Sequence, residues 1–137
     1  NKMYTNKDLV HAVRDVVPKR FLNKTLSRVF QSMRIKINNE LYNIYVSISE
    51  AIDLLNQGGR IAIITFHSIE DRLVKNIFKA FSKGEPSFIN DIDNKIEKCD
   101  KKIQLVNKKA ISPKWIEVKS NKRCRSAKLR IAERLCS

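Results

Sequence analysis

Apolar positions along the chain recur first at a helical period. Leu9, Val10, Val13, Val16 and Val17 keep that spacing up to Pro18, and Thr5-Asn6-Lys7-Asp8 ahead of them has the form of a capping box with Asp in place of Glu. A short amphipathic helix is predicted, followed by an irregular basic connection through Lys19, Arg20 and Lys24. From Leu26 the apolar residues Val29, Phe30, Met33, Ile37, Leu41, Ile44, Tyr45, Ile48, Ile52 and Leu55 hold a three-or-four spacing as far as Gly58. One long helix satisfies this pattern, or two nearly collinear ones; at about 1.5 Å per residue the span is roughly 45 Å.

The period then changes. Gly58-Gly59 stop the helix, and Ile61-Ala62-Ile63-Ile64 have no polar member, which predicts a buried strand from Arg60 to Phe66. A helix is predicted from Ser68, with Ile69, Leu73, Ile77, Phe78 and Phe81 on one side. Helix, strand and helix in this order imply an α/β fold with a parallel sheet. Residues 83–102 read as a loop or variable insertion. Ile103 to Val106 and Lys128 to Leu135 are strand candidates, although Ala127, Ile131 and Leu135 also fit a helix. Between them Pro113-Lys114-Trp115 and Lys122-Arg123-Cys124-Arg125 form a long connection.

Charge changes what this pattern is for. The 137 residues, 42% of them hydrophobic, suffice for one modest core, but 28 Lys and Arg against 14 Asp and Glu give a net +14. Residues 101–137 carry 12 basic and 2 acidic side chains, whereas residues 1–100 carry 16 and 12. A polyanionic partner is favoured over an acidic metabolite. Cys99, Cys124 and Cys136 have no metal-ligand spacing and His11 and His67 stand far apart, so neither a disulfide framework nor a metal site is expected. A reducing compartment and a soluble intracellular protein, with no membrane partner, are the corresponding expectations.

Candidate chemistry gathers where the strand ends, which is where ligands bind in open α/β sheets. His67, Ser68, Glu70 and Asp71 could supply a base, a hydroxyl and carboxylates there. Ser68 with Asp71 also reads as a capping box, and His67 fits either a site role or a local hydrogen bond. Arg28, Gln31 and Arg34 could contact phosphates or base edges, or could line a solvated helix face. Arg123, Arg125, Lys128 and Arg130 form a denser cluster that suggests nucleic-acid contact. Trp115 could stack on a base, but a packing anchor in a loop short of apolar residues is the simpler expectation. No glycine-rich turn follows a first strand, no Walker lysine appears and no acid ends a second strand, so the chain alone carries no complete cofactor site.

Three blocks taken together resemble a known family. Arg28-Val29-Phe30-Gln31-Ser32-Met33-Arg34-Ile35-Lys36-Ile37-Asn38-Asn39-Glu40-Leu41, the stretch from Gly58 to Lys75, and Asn121-Lys122-Arg123-Cys124-Arg125-Ser126-Ala127-Lys128-Leu129-Arg130-Ile131-Ala132-Glu133-Arg134-Leu135 are similar to blocks of the bacterial small-subunit rRNA cytosine methyltransferases, the RsmH (MraW) family. Lys109-Ala110-Ile111-Ser112-Pro113 and the start of the first helix, Thr5 to Val10, also match. Ala110 and Lys122 replace family prolines, Cys124 replaces a small residue, and Trp115-Ile116 stands where acidic residues are usual.

The resemblance implies the carboxyl-terminal half of a Rossmann-like, S-adenosylmethionine-dependent methyltransferase fold. Residues 1–37 would be part of an inserted helical, substrate-recognition domain, and residues 38–137 the carboxyl-terminal half of the Rossmann-like domain with the variable loop 83–102. The implied activity is methylation of the exocyclic amine of a cytidine in small-subunit (16S) rRNA, with the rRNA or the small ribosomal subunit as partner. By the same resemblance His67 would position the base or accept a proton, Arg28, Gln31, Arg34 and Asn38 would form a helical wall, and Arg123, Arg125 and Lys128 would hold the RNA backbone. The S-adenosyl-L-methionine site would lie mainly in an amino-terminal part that this chain lacks, so the chain alone would be inactive. A noncatalytic RNA-binding or ribosome-assembly protein retaining half the fold is the alternative. A bacterial cytoplasm is expected, with a mitochondrial matrix as the second possibility.

Overall fold

The computed structural model describes residues 5–85, 87–88, 95–96 and 100–136. Contacts divide the chain into two compact units, Asn1–Glu40 and Leu41–Ser137.

The first unit is helical. Thr5 caps α1 (Asn6–Val16): its hydroxyl accepts from the Asp8 amide, and the Asp8 carboxylate accepts in return from the Thr5 amide at 2.8 Å. This is the expected capping box. α2 (Lys19–Ile37) starts immediately after Pro18. The segment through Lys19, Arg20 and Lys24 is therefore helical, not an irregular connection: the fixed backbone angle and missing N–H of proline cost nothing at a helix start. Asn39 then adopts a φ of 50°, a left-handed conformation that Asn tolerates better than other side chains. That residue cuts the continuous apolar stripe into two helices, and α3 (Glu40–Leu54) follows.

In the second unit, β1 (Arg60–Thr65) leads through Phe66 and His67 to α4 (Ser68–Lys83). A short antiparallel pair follows, β2 (Ser87–Phe88) with β3 (Lys95–Ile96), and the remaining expectations for the variable segment lie outside the described residues. β4 (Ile103–Leu105), α5 (Trp115–Ser120), a 3-10 helix (Lys122–Ser126) and β5 (Lys128–Arg134) complete the chain. Both strand candidates near the carboxyl end are strands.

The three-stranded sheet has the order β1-β5-β4, and β5 is antiparallel to both neighbours. The expected parallel pairing is thus corrected. β1 and β4, joined through α4, do run in the same direction, as a helical crossover requires. The last strand inserts between them reversed.

Helices α3 and α4 supply Ile48, Ile52, Leu73, Val74, Ile77, Phe78, Ala80 and Phe81 to a core completed by Ile103 of β4 and Ala132 of β5. Ile61 and Ile63 of β1 pack against it. The opposite face of β1 is uncovered among the described residues, with Ala62 and Ile64 exposed, so the strand expected to be buried on both faces is covered on one. A shallow groove of about 440 Å³ runs along this strand and α3, lined chiefly by Ile44, Ile48, Ala51, Ile61 and Ile63.

The glycine pair does more than stop α3. Gly58, at a φ of 74°, donates its amide to the Arg134 carbonyl, and Arg134 donates to the Gly59 carbonyl at 2.8 Å, so the turn continues the β1–β5 ladder. A methyl group on Gly59 would lie 2.8 Å from the Asn56 carbonyl oxygen.

Phe78→Ala should cost about 3–5 kcal/mol in a urea unfolding experiment, from lost burial and the cavity left behind. Leu54→Ala, at a position 85% exposed, should change stability by less than about 0.5 kcal/mol.

Candidate nucleic-acid interface

The carboxyl end of β1 is built by a cap. His67 is the residue before α4, in an extended conformation, and its carbonyl accepts the first helical bond from the Asp71 amide at 3.0 Å. Glu70 reaches back so that one carboxylate oxygen accepts from the amides of both Phe66 and His67, each at 3.2 Å. The capping pair is therefore His67 with Glu70, not Ser68 with Asp71. The strand runs to Thr65, which moves the cap one residue earlier than the preference for Ser predicts.

Asp71 has a different partner. The guanidinium of Arg130 on β5 grips it with two bonds, at 2.8 and 3.0 Å, and the two side chains are only 12% and 21% exposed. This fork ties the first turn of α4 to the central strand. Both acidic residues of the motif are thus engaged, and His67 beside them is exposed.

The register Thr65↔Lys128 sets the amino end of β5 beside the carboxyl end of β1. Chain order then delivers the 3-10 helix with exposed Arg123 and Arg125 to the end of the sheet that carries His67. Asn121 caps that helix by accepting the Arg123 amide at 3.1 Å. Lys128 is half-buried and donates to the Ser112 hydroxyl at 2.6 Å.

The segment after β4 is stitched to the same end. Asn107 accepts from the Ile131 amide at 2.6 Å and donates to the Leu129 and Lys109 carbonyls, so its amide replaces a backbone partner where the strand pairing lapses. Ile111 and Leu129 then exchange both backbone bonds at 2.9 Å. α5 is held at its start by Glu117, whose carboxylate accepts from the Lys114 amide at 2.6 Å, and it packs against the 3-10 helix. Trp115 is 75% exposed and anchors no packing; Pro113 and Val118 are the half-buried apolar residues of that stretch.

Arg28, Gln31, Arg34 and Asn38 belong to the first unit. Arg28 is exposed on α2 and Gln31 is half-buried. Arg34 donates twice to the Glu40 carboxylate, at 2.8 and 3.2 Å, and Asn38 donates to the same carboxylate at 3.3 Å. All three bonds lie within the first unit.

The opposite end of the sheet is also charged but neutralised. Arg60 and Gln104, facing Glu133 from either side, donate to its carboxylate at 2.7 and 2.8 Å. Hydrogen bonding from Arg60 first, and from Gln104 second, holds the Glu133 carboxyl below its ordinary value of 4.5. Asp53 takes Lys102 at 2.5 Å and Arg134 at 3.5 Å. Sequence reasoning found neither the Asp71–Arg130 fork nor the role of Asn107, because each joins residues far apart in the chain and no local pattern marks it.

The β1–α4 connection contains no glycine, and the groove beside β1 is lined by apolar residues with Asn43 and Ser47 and by no acid. Among the described residues no cluster of three or more His, Cys, Asp or Glu could hold a metal, and no helix is long and apolar enough to cross a membrane.

The second unit is an α/β unit whose central strand brings a basic turn to the carboxyl end of β1. The sequence places it further. Residues 1–135 match the MraW methylase family, and the chain belongs to that family. It is 43% identical over 135 residues to the ribosomal RNA small subunit methyltransferase H of Elusimicrobium minutum, covering 98% of this chain and 40% of that protein. The proteins of the same name from Clostridioides difficile and Brevibacillus brevis are 40% and 39% identical, with 43% and 42% of their lengths covered. The chain thus spans about two fifths of the curated relatives it matches.

Because Glu133 has a lowered carboxyl pKa in the folded chain, its contribution to stability is complete above the unfolded value and is lost as pH falls through the folded one. The urea midpoint of the unaltered chain should exceed that of Glu133→Gln at neutral pH, and the gap should close progressively below about pH 4.5. A gap that stays constant into strong acid would show that the carboxylate gains nothing from Arg60 and Gln104.

Proposed function

We propose that this chain is the RNA-facing part of an enzyme that methylates the exocyclic amine of one cytidine in small-subunit rRNA, with S-adenosylmethionine as the donor. The donor supplies an electrophilic methyl group. Its binding residues belong to the three fifths of the relatives' length that has no counterpart in this chain. Residues 38–137 act as the carboxyl-terminal half of a Rossmann-like domain, and the edge of β1 that pairs with no strand among the described residues is where that sheet continues. Residues 1–37 belong to an inserted helical domain, and Arg28 and Gln31 offer RNA contacts of their own there. The bacterial sources of the relatives support a role in a bacterial cytoplasm.

The single observation that carries the RNA reading is the Thr65↔Lys128 register, because it joins the basic turn to the strand end that holds His67. Arg123 and Arg125 present planar donor forks to phosphate oxygens, and Lys128, steadied by Ser112, adds a third cation. A target base must leave its stack to meet a strand-end group, and phosphate contacts on either side of it supply the binding energy for that unstacking. His67 is the group at that end able to orient the amine or accept its proton.

Binding to a labelled single-stranded fragment of small-subunit rRNA should weaken steeply with salt. Arg123→Gln and Arg125→Gln should each reduce the slope of log K against log salt by about 0.7–0.9, whereas Arg60→Gln, at the opposite end of the sheet, should leave it unchanged. Equal slopes for all variants would remove the basic turn from the interface.

A further inference from the structure

Among the described residues of the second unit, the most exposed large aromatic side chain sits in a strongly basic segment. Trp115 is 75% exposed and its neighbour Ile116 is 70% exposed, on the six-residue helix α5. Lys119, one turn along, holds its ammonium 5.2 Å from the centroid of the indole. Residues 107–130 contain nine Lys and Arg and one acidic residue, Glu117. That carboxylate accepts from the Lys114 amide and is a single negative charge against the nine positive ones. An exposed indole with one ammonium against its ring, in a cation-rich segment, fits a ligand with both a π-face and phosphates, and an unpaired nucleotide has both. An apolar protein partner would have to desolvate those cations without pairing them. A duplex keeps its base faces inside the stack.

We propose that Trp115, backed by Lys119, is a stacking platform for one unpaired base of single-stranded RNA. Lys114 and Lys122 flank it in sequence as phosphate contacts. The platform rests on the RNA reading above and adds to it a preference: the chain binds unpaired RNA better than paired RNA at equal charge. The neighbouring cations then supply salt-dependent affinity, while the indole supplies the choice of single strand.

Trp115 is the only tryptophan in the chain, so its fluorescence reports this contact alone. The 137-residue chain is titrated with a mixed-sequence single-stranded oligonucleotide, a duplex of equal length, and heparin as a polyanion without bases. Quenching by the single strand and none by heparin is expected. Trp115→Ala should weaken single-strand binding about tenfold, Trp115→Phe should restore most of it, and neither should change the salt slope or heparin affinity. Single-strand binding without quenching, and undiminished in Trp115→Ala, would overturn the platform and leave the RNA reading standing. Absence of binding to either RNA would remove the RNA reading itself. A blue-shifted emission shielded from iodide in the free chain would show the ring covered by protein and would also overturn the platform.

Discussion

β5 lies between β1 and β4 and runs opposite to both, and its register decides where the charge of the last quarter of the chain is placed. With Thr65 opposite Lys128, Ala132 reaches the core and Arg130 reaches Asp71, while Glu133 meets Arg60 and Gln104 on the other face. A slip of one residue would exchange the two faces of the strand. It would turn Glu133 toward the apolar core and leave Asp71, one-fifth exposed, beside an isoleucine. The cost of stranding those charges holds the register, and the register holds the basic turn at the strand end.

Local signals were legible where a residue's partners are close in the chain. The Thr5–Asp8 cap, the strand after Gly58-Gly59 and the apolar side of α4 all rest on neighbours within a few positions. The direction of β5 was not legible, because alternation along one strand is the same for parallel and antiparallel pairing. The displaced cap had a similar cause. Ser68 and Asp71 satisfy the capping pattern on paper, but Arg130, remote in sequence, claims Asp71, and a strand one residue shorter than expected hands the cap to His67 and Glu70. Trp115 was misjudged for want of a burial signal: nothing in its short helix says which side chains the 3-10 helix covers.

The candidate interface was legible in composition and in family blocks more than in geometry. Its excess charge is plain from the sequence, yet only the fold separates the two ends of the sheet: one neutralised by Glu133 and Asp53, the other left basic. Arg34 and Asn38, expected in a helical wall, also donate hydrogen bonds to Glu40, a contact that no sequence pattern announced. The MraW methylase family model matches nearly the whole chain, yet the chain spans about two fifths of the length of the relatives it matches.

Amide hydrogen exchange, compared with and without single-stranded rRNA, tests most directly whether RNA meets the chain at the carboxyl end of β1. Slowed exchange is expected at residues 66–68 and across 107–128, with no change at residues 57–60. Protection centred on residues 57–60 and on Arg134, with 107–128 unaffected, would place the RNA at the neutralised end of the sheet and contradict the account.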